Sequence, residues 1–250
     1  MKPINHPYGN FKILFIKTFK KFLKDILKLI LSVFFKFDKH DEIIISSATH
    51  APWLKDIEFL EFYRKIKNLT LLDEPRAYTL WQCSKNLENY NGNILDVGCL
   101  LGGSGFLMSK ANKKGSTYLF DTFSGFENDD GLHKKNTFFF DDIKFVSKNI
   151  KKFKLKNTHV KKLQFPKKLG FNLKKIKLCH IDVNTYKETK NVFLFVNDRI
   201  IKGGIIIFDD YGIWGVDGIK NFINQIYPKF KKNYYFLKNY MGQCLLIKKY

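Results

Sequence analysis

The chain has 250 residues and 45% hydrophobic content, enough for one domain with its own core. Its formal charge of +21 is carried mostly by lysine in a sequence also rich in Phe, Ile and Asn. That joint bias follows from an A/T-rich genome, so the charge alone does not argue for nucleic acid, and no aromatic RNP pattern, GXXG loop or C2H2 spacing is present.

Residues 11–37 come first. Lys17, Lys20, Lys21, Lys24 and Lys28 recur at helical spacing, and Phe15, Phe19, Phe22, Leu23, Ile26, Ile30 and Val33 occupy the opposite side. This is an amphipathic helix with a basic face. Its lysines interrupt it too often for a membrane span of roughly 20 apolar residues, and it lacks a secretory cleavage pattern. Two readings stay open: a peripheral contact with anionic lipid, or packing on protein, including a second copy in a homodimer. Residues 1–40 are assigned to this helix, 41–90 to a helical cap with helices near 54–67 and 74–89, and 91–250 to the main domain. The second cap helix opens Asp73-Glu74-Pro75-Arg76, with acids and a proline in its first turn.

From Asn93 strands and helices alternate. Strands are predicted at 93–98, 116–121, 158–163, 176–182, 204–209, 234–239 and 243–248, and helices near 103–112, 139–153, 187–201 and 216–227. Alternation predicts an α/β, doubly wound seven-stranded sheet. The short turn Tyr240-Met241-Gly242 forces the last two strands into an antiparallel hairpin.

The first strand runs into Asp96-Val97-Gly98-Cys99-Leu100-Leu101-Gly102-Gly103-Ser104, a glycine loop that opens a helix. Glycines let such a loop turn sharply and approach a ligand, with free helix N–H groups alongside. The order Asp-x-Gly-x-x-x-Gly-Gly differs from the dinucleotide pattern G-x-G-x-x-G. It resembles motif I of the class I S-adenosylmethionine-dependent methyltransferases. Asp121 ends the next strand, where an acid holds a ribose hydroxyl about 20 residues on.

Three more acids end strands. Asp182 closes Lys177-to-Ile181, and Asp209 with Asp210 closes Gly204-to-Phe208. Neighbouring strands bring these tips together, and close carboxylates repel unless protons or a cation separate them. Oxygen ligands suit Mg²⁺. The four cysteines, Cys83, Cys99, Cys179 and Cys244, include no Cys-x-x-Cys pair, which suggests free thiols in a reducing cytoplasm and no zinc site.

Several segments together resemble the macrocin-type (TylF-type) O-methyltransferases. They are Pro75-to-Trp81, the Asp96–Gly105 loop, Phe120-to-Phe126, Leu132-His133-Lys134-Lys135-Asn136, Ile181-to-Thr189 and Asp209-Asp210-Tyr211-Gly212, within residues 70–250. The resemblance implies a Rossmann-like fold, S-adenosylmethionine, Mg²⁺ and O-methylation of sugar hydroxyls. By matching positions it makes Asp182, Asp209 and Asp210 metal ligands. Asp96, Gly98, Gly102, Gly103, Ser104 and Asp121 would line the cofactor. His133, with Asp182, would be catalytic, the histidine assisting deprotonation of the acceptor. Asn184 departs from the pattern by standing where the family commonly has a second acid, and the stretch Lys162-to-Pro166 lacks the family's usual glycine.

The resulting expectation is an Mg²⁺-assisted O-methyltransferase for a small-molecule or glycan acceptor, in the cytoplasm, at the inner membrane face if the first helix binds lipid. An RNA methyltransferase is the alternative that the net charge favours, although a D/N-P-P-Y/F sequence is missing after the fourth strand. A membrane-surface adaptor that has lost activity is the other.

Overall fold

A computed structural model describes residues 11–34, 44, 50–126, 134–167, 169–213 and 216–250. The chain divides into two compact units, residues 1–50 and 51–250.

The first unit contains helix α1 (Phe11–Phe34). It carries the apolar stripe the sequence predicts, with Phe15, Phe19, Phe22 and Ile30 exposed on it. No helix among the described residues is long and apolar enough to cross a membrane.

The second unit begins with helices α2 (Ile57–Ile66) and α3 (Glu74–Asn86). Asp73 caps α3 by accepting the Arg76 N–H, and Pro75 sits in its first turn. Then come β1 (Asn93–Val97), α4 (Gly103–Ala111), β2 (Thr117–Asp121), α5 (Ile143–Lys152), β3 (Thr158–Lys162) and β4 (Ile176–Ile181). The chain continues through α6 (Tyr186–Asn197), β5 (Ile200–Phe208), α7 (Asp217–Phe230), β6 (Tyr234–Lys238) and β7 (Cys244–Lys248). The seven strands form one sheet in the order β3-β2-β1-β4-β5-β7-β6. Strands β1 to β5 are parallel; β7 runs antiparallel to β5, and β6 antiparallel to β7. The fold is therefore the α/β, Rossmann-like sheet with a reversed terminal hairpin.

Alternation along the strands sends side chains to two cores. Ile94, Leu178 and Ile207 join residues of α2, α3 and α4 on one face, while Leu95, Cys179, Ile206 and Phe208 join residues of α6 and α7 on the other. Helices α2 and α3 share the first core with the sheet, within the unit that begins at Ala51. Two element limits also shift. Helix α5 starts at Ile143, where Asp142 caps it by accepting the Phe145 N–H. Strand β5 starts at Ile200, ahead of its expected start at Gly204. Gly203, at φ +74°, carries an irregularity in the pairing, so that Ile176 faces Ile200 but Leu178 faces Ile205.

Lys177 joins this frame from the inside. Its side chain is fully buried, and its ammonium donates to the carbonyls of Leu87 at 2.9 Å, Tyr90 at 3.1 Å and Lys114 at 2.9 Å. Burial pulls its pKa down to about 8. The contact ties the end of α3 and the turn before β2 to the middle of the sheet. Lys177→Met leaves those carbonyls unpaired and is expected to cost about 2–4 kcal/mol. Urea denaturation would show this as a lower midpoint at unchanged slope.

Candidate active site

The sheet changes direction of winding between β1 and β4, and ligands of such sheets bind at the carboxyl ends of strands flanking that point. A cleft of about 500 Å³ opens there. Three backbone hydrogen bonds align its floor: Gly98 N–H to Phe120 C=O at 2.9 Å, Asp182 N–H to Val97 C=O at 2.8 Å, and Asp209 N–H to Ile181 C=O at 3.0 Å. The tips of β2, β1, β4 and β5 are thereby level.

Gly98 is required by that alignment. Its φ is +92°, and a Cβ there would overlap the Asp182 carbonyl oxygen. The glycine lets the loop after β1 lie directly against the tip of β4. Leu100 at φ +44°, Asn184 at +59° and Asp210 at +55° continue the cleft wall in the left-handed region, which non-glycine residues enter at a cost.

One half of the cleft holds Gly98, Leu100, Asp121, Phe126 and Phe138. Asp121 accepts the N–H of Leu100 at 2.8 Å and of Phe123 at 2.7 Å. Burial raises its pKa, partly offset by these N–H groups. Asp96, Gly102, Gly103 and Ser104, expected at the cofactor, are not on the wall of this cleft. Asp96 is fully buried and accepts from Ser104 Oγ at 2.7 Å and pairs with His180 Nδ1 at 2.8 Å. A Cβ at Gly102 would meet the Phe106 ring, and one at Gly103 the Leu69 carbonyl. At both positions the backbone lies too close to its neighbours for a side chain.

The other half gathers the acids. Strand register explains how. Asp96 stands opposite His180, and His180 opposite Ile207. With a two-residue alternation, His180, Asp182 and Asp209 fall on the face that α3 covers. Asp182 and Asp209 line the cleft with Asp210 and Asn184. Asp209 is 1% exposed and accepts from Gln243 Nε2 at 2.9 Å and from Arg76 at 2.7 Å. Arg76 also reaches Asp210 at 3.2 Å and Asp73 at 3.3 Å.

The charges are strongly coupled. Burial and then the Asp209 and Asp210 charges push Asp182 well above the usual carboxylate range. Burial by itself would lower His180, but the hydrogen bond and charge of Asp96, with Asp209 and Asp182, raise it to about 9. Burial likewise opposes the charge on Arg76, and Asp209, Asp73 and Asp210 more than restore it. His180 Nε2 and Asn184 Oδ1 are buried with no hydrogen-bond partner. One ring nitrogen of His180 and one carboxylate oxygen each of Asp182 and Asp209 lie within 4.8 Å of one another.

His133 lies outside the described residues. The structure adds three residues to which the sequence pattern assigns no role: His180, Arg76 and Gln243. A histidine two positions before Asp182 in an otherwise apolar strand is the available signal for the first. Arg76 is visible in the sequence only as part of a helix start, and Gln243 only beside a turn. The four cysteines are free and buried.

A carboxylate held above its normal pKa costs the native state stability at neutral pH. In chelator-treated protein, Asp182→Asn is expected to raise stability by ~1–2 kcal/mol. Native Asp182 binds its proton more tightly than the unfolded chain does, so the gain narrows as pH falls through its folded pKa. Thermal unfolding of both proteins between pH 5 and 8 (roughly the range of maximal stability) checks the sign.

No curated protein sequence matches the chain. Among solved structures, the O-methyltransferase NovP has a TM-score of 0.62 at 16% identity, covering 73% of this chain and 83% of that one. CalS11, a calicheamicin methyltransferase, has 0.59 at 14%, covering 84% and 99%. An O-methyltransferase from Bacillus cereus in complex with SAH has 0.53 at 14%, covering 78% and 96%. At these identities the likeness is one of fold. The model of the family described as macrocin O-methyltransferase (TylF) matches residues 67–232, a stretch that holds Arg76, the glycine loop, Asp121 and the acid cluster. The chain belongs to the macrocin O-methyltransferase family.

Proposed function

We propose that the chain transfers the methyl group of S-adenosylmethionine to a hydroxyl of a small acceptor, a sugar of a glycan or natural product, aided by a divalent cation. The observation that carries this reading is the single cleft whose two halves differ in chemistry. Asp121 and the Gly98–Leu100 backbone stand on one side, and Asp182, Asp209 and Asp210 on the other. Bound there, S-adenosylmethionine would supply the methyl group, the acceptor hydroxyl would be the nucleophile, and a base of the protein would take its proton.

Asp121 suits a ribose hydroxyl, and Gly98 and Leu100 bring backbone close to the ligand. Phe126 and Phe138 add apolar surface to the cleft wall. The carboxylates of Asp182, Asp209 and Asp210 are the hard oxygen donors that Mg²⁺ takes, and the raised proton affinity of Asp182 marks a cluster short of positive charge. When bound, such a cation lowers the pKa of the acceptor hydroxyl and fixes its position. Asn184 cannot remove a proton, so that role passes to another group, and His133 is proposed for it.

Calorimetric titration with SAH is expected to show binding by the wild type. Asp121→Asn should weaken it about ten-fold, or ~1.4 kcal/mol. Asp182→Ala should leave SAH affinity nearly unchanged while abolishing the gain of one methyl in acceptors screened by mass spectrometry. His133→Ala should lower turnover by roughly 10²-fold. A wild type without affinity for SAH would remove the reading.

The amino-terminal helix supports a second, separable reading, that it lies on an anionic membrane surface. Its lysines form one face and its exposed phenylalanines another. Full-length protein is expected to float with vesicles containing phosphatidylglycerol, and a chain starting at Asp41 to remain below. Equal partitioning of the two would end this reading.

A further inference from the structure

Resting on the reading that a divalent cation sits in the acid cluster, we propose that His180 is one of its ligands through Nε2, beside Asp182 and Asp209. Neither the family match nor the strand-tip pattern points to a nitrogen donor. The geometry does.

His180 is fully buried in the central strand, between apolar neighbours in sequence and across from Ile207. A side chain there needs a reason to be polar, since an unpaired buried polar atom costs about 1–3 kcal/mol. Half of the imidazole has its reason: Nδ1 is engaged by Asp96 at 2.8 Å. The other half has none within the protein, because Nε2 has no hydrogen-bond partner. Yet the ring stands within 4.8 Å of carboxylate oxygens of both Asp182 and Asp209. A carboxylate holding Nδ1–H, with Nε2 turned over to a cation, is the arrangement by which proteins orient a metal-binding histidine. Asp96 is then a positioning residue, acting through His180.

Asp210, the third carboxylate of the expected set, is bonded to Arg76 at 3.2 Å. Arg76 also takes Asp209, but makes no hydrogen bond to Asp182 or His180. The guanidinium thus neutralises the outer side of the cluster and leaves its inner side to a cation.

The test uses full-length protein freed of metal by chelation, with neither cofactor nor acceptor present. Mn²⁺ is titrated in and followed by electron paramagnetic resonance. The expected result is bound Mn²⁺, displaceable by Mg²⁺, whose spin echo is modulated by a directly coordinated ¹⁴N. His180→Gln should lose the nitrogen modulation and weaken Mn²⁺ binding about 10- to 100-fold. Bound Mn²⁺ without nitrogen modulation in the wild type would overturn the role of His180 and leave the cation reading standing. The wild-type spectrum decides this even where His180→Gln fails to fold. Failure of the wild type to bind either ion would remove the cation reading and this inference with it.

Discussion

The close approach of two backbones, at Gly98 and Asp182, is the constraint from which the site follows. No side chain fits between them. Because the loop after β1 can lie on the tip of β4, Asp121 and the acids Asp182, Asp209 and Asp210 come to line one cleft. Any Cβ at Gly98 would push β1 and β4 apart and separate the two halves of the cleft. The level strand tips, held by backbone hydrogen bonds from Phe120 to Asp209, then extend that junction across four strands.

The second theme is charge held in the wrong medium. Three carboxylates meet where burial and mutual repulsion both oppose their ionisation, and Asp182 carries most of the consequence. The protein meets part of this with Arg76 and His180. It does not relieve it fully, because Asp182 remains protonation-prone and a ring nitrogen and an amide oxygen remain unpaired. A folded domain carries such costs where chemistry needs them, and a frame tied from within by Lys177 and two apolar cores is able to bear them. The left-handed residues Leu100, Asn184 and Asp210 add strain at the same place.

Much of the fold is legible in the order of residues. Each strand from Asn93 onward combines a short apolar run with a boundary residue, and the short turn at Tyr240–Gly242 leaves only a hairpin. The end of α6 and the start of β5 depart from expectation because a glycine pair reads as a turn, whereas the pairing with β4 absorbs it as an irregularity. Asp121, Asp182, Asp209 and Asp210 are identifiable because acids at strand ends stand out against apolar runs. Gly102 and Gly103 are harder to place, since a glycine needed for packing and one needed for a ligand look alike in a sequence.

By itself, then, the sequence determined the order of elements, the place of the cleft and the acids at its floor, because local periodicity and strand ends are short-range properties. It also determined the two-faced character of α1, which depends only on helical spacing. The tertiary structure alone decided which side chains meet. Asp96 finds His180 84 residues away through strand register, and Arg76 finds Asp209 across 133 residues through the packing of α3 on the sheet. Those pairings set which carboxylate is neutralised and which ring nitrogen stays open, and each depends on distances in space that sequence separation does not encode.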